Sequence, residues 1–183
     1  LAVLDVGLFP EAAREAGVAA VPTLRLDDAW RWSGDIPVDD VRDMVVSGLV
    51  YPGDTWGAEL IEQLKLARES VTQMAKTYSK AGFTVVIDDF WDPNSRLGEY
   101  DALPEGPGVH KVLLYPKQQS AEERNRKRSG PNGETDYIEG GIRLVYENLK
   151  AEVENLRSAG WLVVDTTDKD VQATVDHILA QIK

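Results

Sequence analysis

The chain has 183 residues, a formal net charge of −11 and no cysteine. Its 43% hydrophobic and 28% charged residues are ordinary globular composition and exclude collagen-like, coiled-coil or low-complexity structure for the whole chain. Without cysteine, disulfides, thiolate nucleophiles and thiolate zinc sites are excluded as well. The acidic charge disfavours nucleic-acid binding. Neither a membrane span nor a signal-peptide pattern is present, so we expect a cytoplasmic protein with no membrane partner.

The first part of the chain predicts short elements that are bounded by proline and glycine. A buried strand is expected at the start, and Asp39 or Asp40 is the expected N-cap of a helix. The predicted elements are a strand over 1–6, a helix over 10–17, a strand over 21–26, a short strand over 36–38 and a helix over 38–49.

From residue 56 onward, helices and apolar strands alternate. A long helix over 56–81 has an apolar stripe formed by Leu60, Leu64, Ala67, Val71, Met74 and Tyr78. This alternation predicts an α/β fold, a three-layer sandwich whose mostly parallel sheet is covered on both faces. Three apolar runs are expected to be neighbouring parallel strands, and the helices that connect or follow them carry polar faces. The strands are predicted over 83–87, 109–115 and 161–164, and the helices over 97–103, 120–128, 137–159 and 171–182.

Carboxylates follow two of the predicted strands. Asp88 and Asp89 end an apolar strand, where an aspartate can hold Mg²⁺ directly or through water, or can simply cap the next turn. Asp39 and Asp40 lie at a strand-to-helix junction, where a carboxylate could accept a hydroxyl proton as a general base. Capping of the helix by Asp39 explains that position equally well.

A cluster of basic residues lies on the helix predicted over 120–128. Arg124 and Arg128 share one face at i, i+4 beside a glycine-rich loop, and Arg126 lies about 200° around from Arg124. Two arginine forks on one face can grip the oxygens of a phosphate group. The alternative is a solvated helix face that is neutralised by Glu122 and Glu123.

Four segments together resemble the small P-loop kinases, most closely the chloramphenicol-phosphotransferase-like and zeta-toxin-like AAA family ATPases. The resemblance covers about residues 36–183. It depends on the order of four motifs, each weak alone: residues 36–48 (IPVDDVRDMVVSG), 81–89 (AGFTVVIDD), 124–128 (RNRKR) and 164–167 (VDTT).

The resemblance implies roles for individual residues. Asp39 or Asp40 would act on the hydroxyl of a small-molecule substrate, and Asp88 would support Mg²⁺. The lid that closes on ATP would contain Arg124 and Arg128. The adenine would lie near the loop formed by Asp165, Thr166 and Thr167.

The phosphate-binding loop of those kinases, G-x-x-x-x-G-K-[ST], is absent. The only glycines before Gly34 are Gly7 and Gly17, and no lysine precedes Lys65. We therefore expect weak binding of Mg·ATP and impaired phosphoryl transfer. Residues 1–35 resemble the second half of a thioredoxin without its redox cysteines, and we expect them to pack into the same domain. A non-catalytic binding protein and an engineered fusion are the alternatives, and the sequence leaves open whether the chain forms a homodimer.

Overall fold

The computed structural model describes residues 2–5, 35–42, 48–50, 56–104, 108–129 and 136–182. The helix predicted over 10–17 and the strand predicted over 21–26 lie outside the described residues. Residues 43–47 of the helix predicted over 38–49 also lie outside them, as does the glycine-rich segment that follows Ser129.

Five strands form one sheet in the order β2-β3-β1-β4-β5. Every strand pairing among the described residues is parallel, which confirms the expected α/β class with a parallel sheet. The strands are β1 (Ala2–Asp5), β2 (Asp35–Pro37), β3 (Val86–Asp89), β4 (Lys111–Leu114) and β5 (Leu162–Val164).

The order of the strands corrects one expectation. β4 and β5 are neighbours as predicted, but β1 separates β3 from β4, because Val3 pairs with Asp88 on one side and with Val112 on the other. A strand at the start of the chain can pair with partners far along it, and apolar runs alone do not reveal such pairing.

β3 also begins later than the strand predicted over 83–87. Phe83 is 41% exposed and its ring packs edge-on against Tyr78 at a centroid distance of 6.0 Å. The amide of Phe83 donates to the Tyr78 carbonyl at 3.1 Å, so this residue belongs to the turn after the long helix. The strand consequently extends through Asp88 to Asp89.

The predicted helices after residue 56 are present with ends shifted by a few residues. Gly82 and Gly160, with φ of +87° and +84°, follow two of these helices in the left-handed conformation that glycine adopts readily. The helices are α1 (Val38–Arg42), α2 (Ala58–Lys80), α3 (Gln118–Ser129), α4 (Asp136–Ser158) and α5 (Val171–Gln181), with a 3₁₀ helix over Gly98–Ala102.

The strands bury side chains in two clusters. Leu113 and Val163 belong to a large core with α2 and α4, whereas Val112 and Val164 pack with Ile178 of α5. Successive residues of a strand are thus buried on opposite faces of the sheet, which explains why the strand sequences are continuously apolar. No helix in the described part of the chain has both the length and the apolar character needed to cross a bilayer.

The apolar stripe of α2 departs from prediction in its last turns. Met74 and Tyr78 are 38% and 51% exposed, while Ala75 is buried in their place. Arg68 is also buried in the stripe, although its side chain is charged. Ala75 lies four residues after Val71, whereas Met74 lies three residues after it. The buried face of α2 therefore follows the i+4 spacing here.

Candidate functional site

The order of the strands creates a crevice at the carboxyl edge of the sheet. The chain leaves β1 toward β2 on one side and leaves β4 toward β5 on the other. Ligands of parallel α/β sheets bind at such a point, where the connections from two neighbouring strands run in opposite directions. The segment that follows β1, which is residues 6–34, lies outside the described residues.

The two candidate bases stand at one end of this edge. β2 ends at Pro37 and α1 begins at once with Val38, which is buried. Pro37 is the register partner of Asp88, so the backbone brings the start of α1 next to the carboxyl end of β3. Asp39 and Asp40 therefore lie one and two residues beyond the start of α1, near Asp88 along the sheet edge. Their side chains lie outside the described residues.

The two aspartates of β3 differ in their surroundings. Asp88 is half-buried, whereas Asp89 is 7% exposed and contacts the guanidinium of Arg68. Arg68 Nε donates to Asp89 Oδ2 at 2.6 Å, and Nη2 donates to Oδ1 at 3.3 Å. The second aspartate thus belongs to the core and not to the mouth of the crevice, where the sequence predicted it.

Arg68 holds a second carboxylate as well. Its Nη1 donates to Asp92 Oδ2 at 2.6 Å, and the Tyr100 hydroxyl donates to Asp89 Oδ2 at 2.8 Å. We call Arg68, Asp89, Asp92 and Tyr100 the buried ion cluster. The Arg68 and Asp92 side chains are 0% and 1% exposed, so their ion pair is closed to solvent and serves packing.

Burial and hydrogen bonding shift the pKa values within the buried ion cluster. Burial raises the pKa of Asp89, against the opposing effect of Arg68. Burial also disfavours ionisation of Asp92, but hydrogen bonds from Asn94 and the contact with Arg68 outweigh it and lower the pKa of Asp92. Burial raises the pKa of Tyr100, which therefore stays protonated and donates to Asp89.

Within the described residues, no group of three acidic or histidine side chains could hold a metal ion. Mg²⁺ commonly uses only one or two protein carboxylates and takes its other ligands from water and phosphate. Asp88, which is half-buried, is the aspartate of β3 for which the sequence predicts this role.

Arg124 lies at the other end of the carboxyl edge. Its Nη2 donates to the backbone carbonyls of Thr166 at 2.7 Å and Thr167 at 3.2 Å, and Nη1 reaches Thr166 Oγ1 at 3.4 Å. The structure thereby joins two candidates that the sequence assigned separately, the lid arginine and the nucleotide loop.

The sequence predicts that Arg124 and Arg128 meet an anion near Asp88, but Arg124 contacts the loop after β5 instead. β1 and β4 stand between β3 and β5, which places the two regions about 14 Å apart across three strand spacings. The side chain of Arg128 lies outside the described residues. Arg126 points elsewhere, as predicted from its angle on the helix, and its Nε bonds Glu139 Oε1 at 2.8 Å.

The loop after β5 is held by its own hydrogen bonds. Asp165 Oδ1 accepts from the Thr167 amide at 2.8 Å and from the Thr167 hydroxyl at 2.5 Å. These bonds lower the pKa of the exposed Asp165 side chain. The Lys117 amide donates to Thr167 Oγ1 at 2.9 Å, which ties the loop after β4 to the loop after β5. Thr166 is fully buried between them.

A cavity of about 500 Å³ adjoins this loop. Tyr115 and Tyr146 stack beside it with ring centroids 5.4 Å apart, and the Tyr146 hydroxyl donates to the Pro116 carbonyl at 2.8 Å. Lys117 and Lys150 are among the cationic lining residues. An aromatic platform next to cationic side chains can accept a planar, anionic ligand such as a nucleotide.

Sequence reasoning missed two features of the site. Arg68 lies on the buried face of α2, four residues after Leu64 and three before Val71. This spacing could have predicted that the arginine is buried. The stacking of Tyr115 on Tyr146 joins residues that are far apart in sequence, so no local pattern predicts it.

The chain matches no protein-family model, and it has no significant match among curated proteins. What the chain does must therefore be argued from its motifs and from the geometry of its carboxyl edge.

Proposed function

We propose that residues 36–183 form a P-loop-kinase-like scaffold, a three-layer sandwich built for phosphoryl transfer from ATP to a small hydroxylated molecule. The contact of Arg124 with the carbonyls of Thr166 and Thr167 carries the proposal. It joins the arginine assigned to the lid with the loop assigned to adenine, at the edge where ligands of parallel sheets bind.

The charge of Arg124 supports this role. Its hydrogen bonds within the described residues go to neutral oxygens, so no described carboxylate cancels the guanidinium charge. An arginine held in this way keeps a full positive charge at the edge of the sheet. Phosphate and carboxylate groups are the anions that match the geometry of such a guanidinium.

The residues at the β2 and β3 end of the edge take the remaining roles. Asp39 or Asp40 would accept the proton of the substrate hydroxyl. Asp88 would hold Mg²⁺ through water, and Mg²⁺ would supply charge neutralisation at the β- and γ-phosphates of ATP. The protein's own contribution is to position the two substrates, since most of the rate in phosphoryl transfer comes from positioning and electrostatics.

The missing phosphate-binding loop limits the activity. That loop would follow β1, the central strand of the sheet, but residues 6–34 contain no G-x-x-x-x-G-K-[ST] pattern. Losing three charge-assisted hydrogen bonds, each about 1.5–3 kcal/mol, weakens binding by at least about three orders of magnitude. We therefore expect millimolar or weaker binding of Mg·ATP and very slow transfer. A non-catalytic binding protein on the same scaffold is the second candidate, and the missing loop favours it.

Calorimetric titration with Mg·ATP tests the proposal. A variant that carries G-x-x-x-x-G-K-S directly after Val6 should bind Mg·ATP far more tightly than the unmodified chain. In that background, Arg124→Met should weaken binding by about tenfold or more, the effect of about 1.4 kcal/mol. Arg126→Met is the matched control, because Arg126 is on the same helix but bonds Glu139.

Three results would overturn the assignment. Micromolar binding by the unmodified chain would mean that the phosphates bind elsewhere. If the grafted loop does not raise the affinity for Mg·ATP, the chain does not have a kinase-like scaffold. If Arg124→Met and Arg126→Met weaken binding equally, Arg124 does not contact the nucleotide. ATP hydrolysis by the grafted chain, measured with Asp39→Asn and Asp40→Asn variants and small alcohols as acceptors, distinguishes an enzyme from a binding protein.

A further inference from the structure

A second cavity, of about 340 Å³, opens at the opposite edge of the sheet. Its lining includes Phe83 and Val85, which precede β3, and Trp161, which precedes β5. These residues mark the amino ends of the strands. The lining also includes Ile87 and Asp89, so the cavity extends from the amino ends of the strands along one face of β3.

The floor of this cavity is apolar. Phe83, Leu103 and Trp161 present apolar side chains to it, and Leu156 of α4, which is 9% exposed, closes one side. A volume of this size suits a small molecule that buries most of its surface. A ring or short alkyl group would gain from burial against these side chains.

The rim of the cavity is cationic, although the chain as a whole is acidic. Lys76 and Lys80 lie one turn apart near the end of α2, and Lys111 begins β4. Lys111 Nζ stands 6.0 Å from the centroid of the Trp161 ring, so the charge lies directly over an apolar wall.

The acidic groups around the cavity leave part of this charge uncancelled. Among the described lining residues, the carboxylates are Asp89, which is bound to Arg68, and Asp101, which is 3.9 Å from Lys111. Arg96 pairs with Glu152 at 3.1 Å. No acidic side chain in the described part of the chain pairs with Lys76 or Lys80, so these two ammonium groups can receive an anion.

We infer that this cavity is a second small-molecule site that binds an organic carboxylate with an aromatic body. The ring lies against Phe83 and Trp161, and the carboxylate meets Lys76 and Lys80. Inorganic phosphate fits less well, because it brings no apolar surface to cover the floor. The site is separate from the proposed phosphoryl-transfer site and does not depend on it.

Titration calorimetry with 1-naphthoate and with neutral 1-naphthamide tests the inference. 1-Naphthoate should bind at least about tenfold more tightly than the amide, the effect of about 1.4 kcal/mol from the charge. The double variant K76Q/K80Q should remove this preference and leave binding of the amide unchanged. Lys65→Gln is the matched control, because Lys65 is exposed on the same helix and does not line the cavity.

Location is checked by NMR. The Trp161 indole signal, assigned through Trp161→Phe, should shift with 1-naphthoate, and saturating Mg·ATP should not compete. Equal binding of acid and amide, no binding of either, or the same effect from Lys65→Gln as from K76Q/K80Q would overturn the inference. A nucleotide that displaces 1-naphthoate would also overturn it. Failure of the kinase proposal would leave all of these results unchanged.

Discussion

Two arginines, Arg68 near β3 and Arg124 near β5, differ in the groups that accept their hydrogen bonds and therefore in their capacity to bind an anion. Arg68 is fully buried and its guanidinium is bound by the carboxylates of Asp89 and Asp92. Arg124 is half-buried and donates to backbone carbonyls of the Thr166 loop. The first charge is cancelled by the protein itself and holds the core together. The second is positioned without being cancelled, so it can attract an anion.

The largest effect should come from Arg68→Met. Removing the guanidinium leaves two carboxylates in the core without their counter-charge, and breaking a buried ion pair in this way costs about 3–5 kcal/mol of the free energy of unfolding. Urea denaturation followed by circular dichroism measures the loss. The triple variant R68M/D89N/D92N should recover part of it, because the unpaired charges are gone. If Arg68→Met unfolds no more easily than the original chain, the buried ion cluster is not structural.

Arg124→Met should have a smaller effect on stability. It removes hydrogen bonds in which only the donor is charged and leaves no unpaired charge in the core, so we expect a loss of about 1.5–3 kcal/mol. The same denaturation experiment measures it. Arg126→Met should change stability by no more than about 1 kcal/mol, because Arg126 is half-exposed and its partners Glu122 and Glu139 keep a contact with Arg143. If Arg124→Met and Arg68→Met lower the free energy of unfolding equally, the two arginines do not differ in their contribution to the core.

A smaller effect that depends on pH should come from Thr167→Val in the loop after β5, where water can replace the exposed bond that the Thr167 hydroxyl accepts from the Lys117 amide. Hydrogen bonds from Thr167 lower the pKa of Asp165, so loss of the hydroxyl should raise that pKa toward its usual value of about 3.9. A lowered folded-state pKa stabilises the protein above about pH 3.9, and this contribution is lost as the pH falls through the folded value. Thr167→Val should therefore flatten the acid side of the stability profile slightly, since Asp165 is exposed and screened.

NMR titration of the Asp165 side-chain carbon measures the change directly. Thr77→Val on α2 is the control, because the Thr77 hydroxyl bonds a backbone carbonyl and no carboxylate. An unchanged Asp165 pKa in Thr167→Val would mean that the loop is not held by this hydroxyl.

The alternation of helices and strands was predictable because it depends on local patterns. Apolar runs mark β4 and β5, and glycines mark the ends of α2 and α4, so these elements lie close to their predicted positions. Phe83 misled the prediction of β3, since an apolar residue in a turn is indistinguishable in sequence from the start of a strand.

The site was less predictable, because its contacts join distant segments. Asp88 and Asp89 are equivalent in sequence, and only the position of Arg68 on α2 separates a core carboxylate from one at the crevice. The contact of Arg124 with Thr166 likewise depends on α3 and the β5 loop meeting in space. The family resemblance named both segments but could not place them together, and the roles of Asp39, Asp40 and Arg128 stay predictions.

The central position of β1 has a consequence for folding kinetics. β1 is the first strand of the described chain, yet its neighbours across the sheet are Ile87 and Lys111. Contacts between residues so far apart raise the contact order, and each requires closure of a long loop before the contact stabilises the chain. During synthesis from the N-terminus, β1 must wait until β3 has been made for its first partner and until β4 has been made for its second. The pairing of β1 should therefore form late, and a peptide of β1 added to a chain that lacks it should restore the sheet.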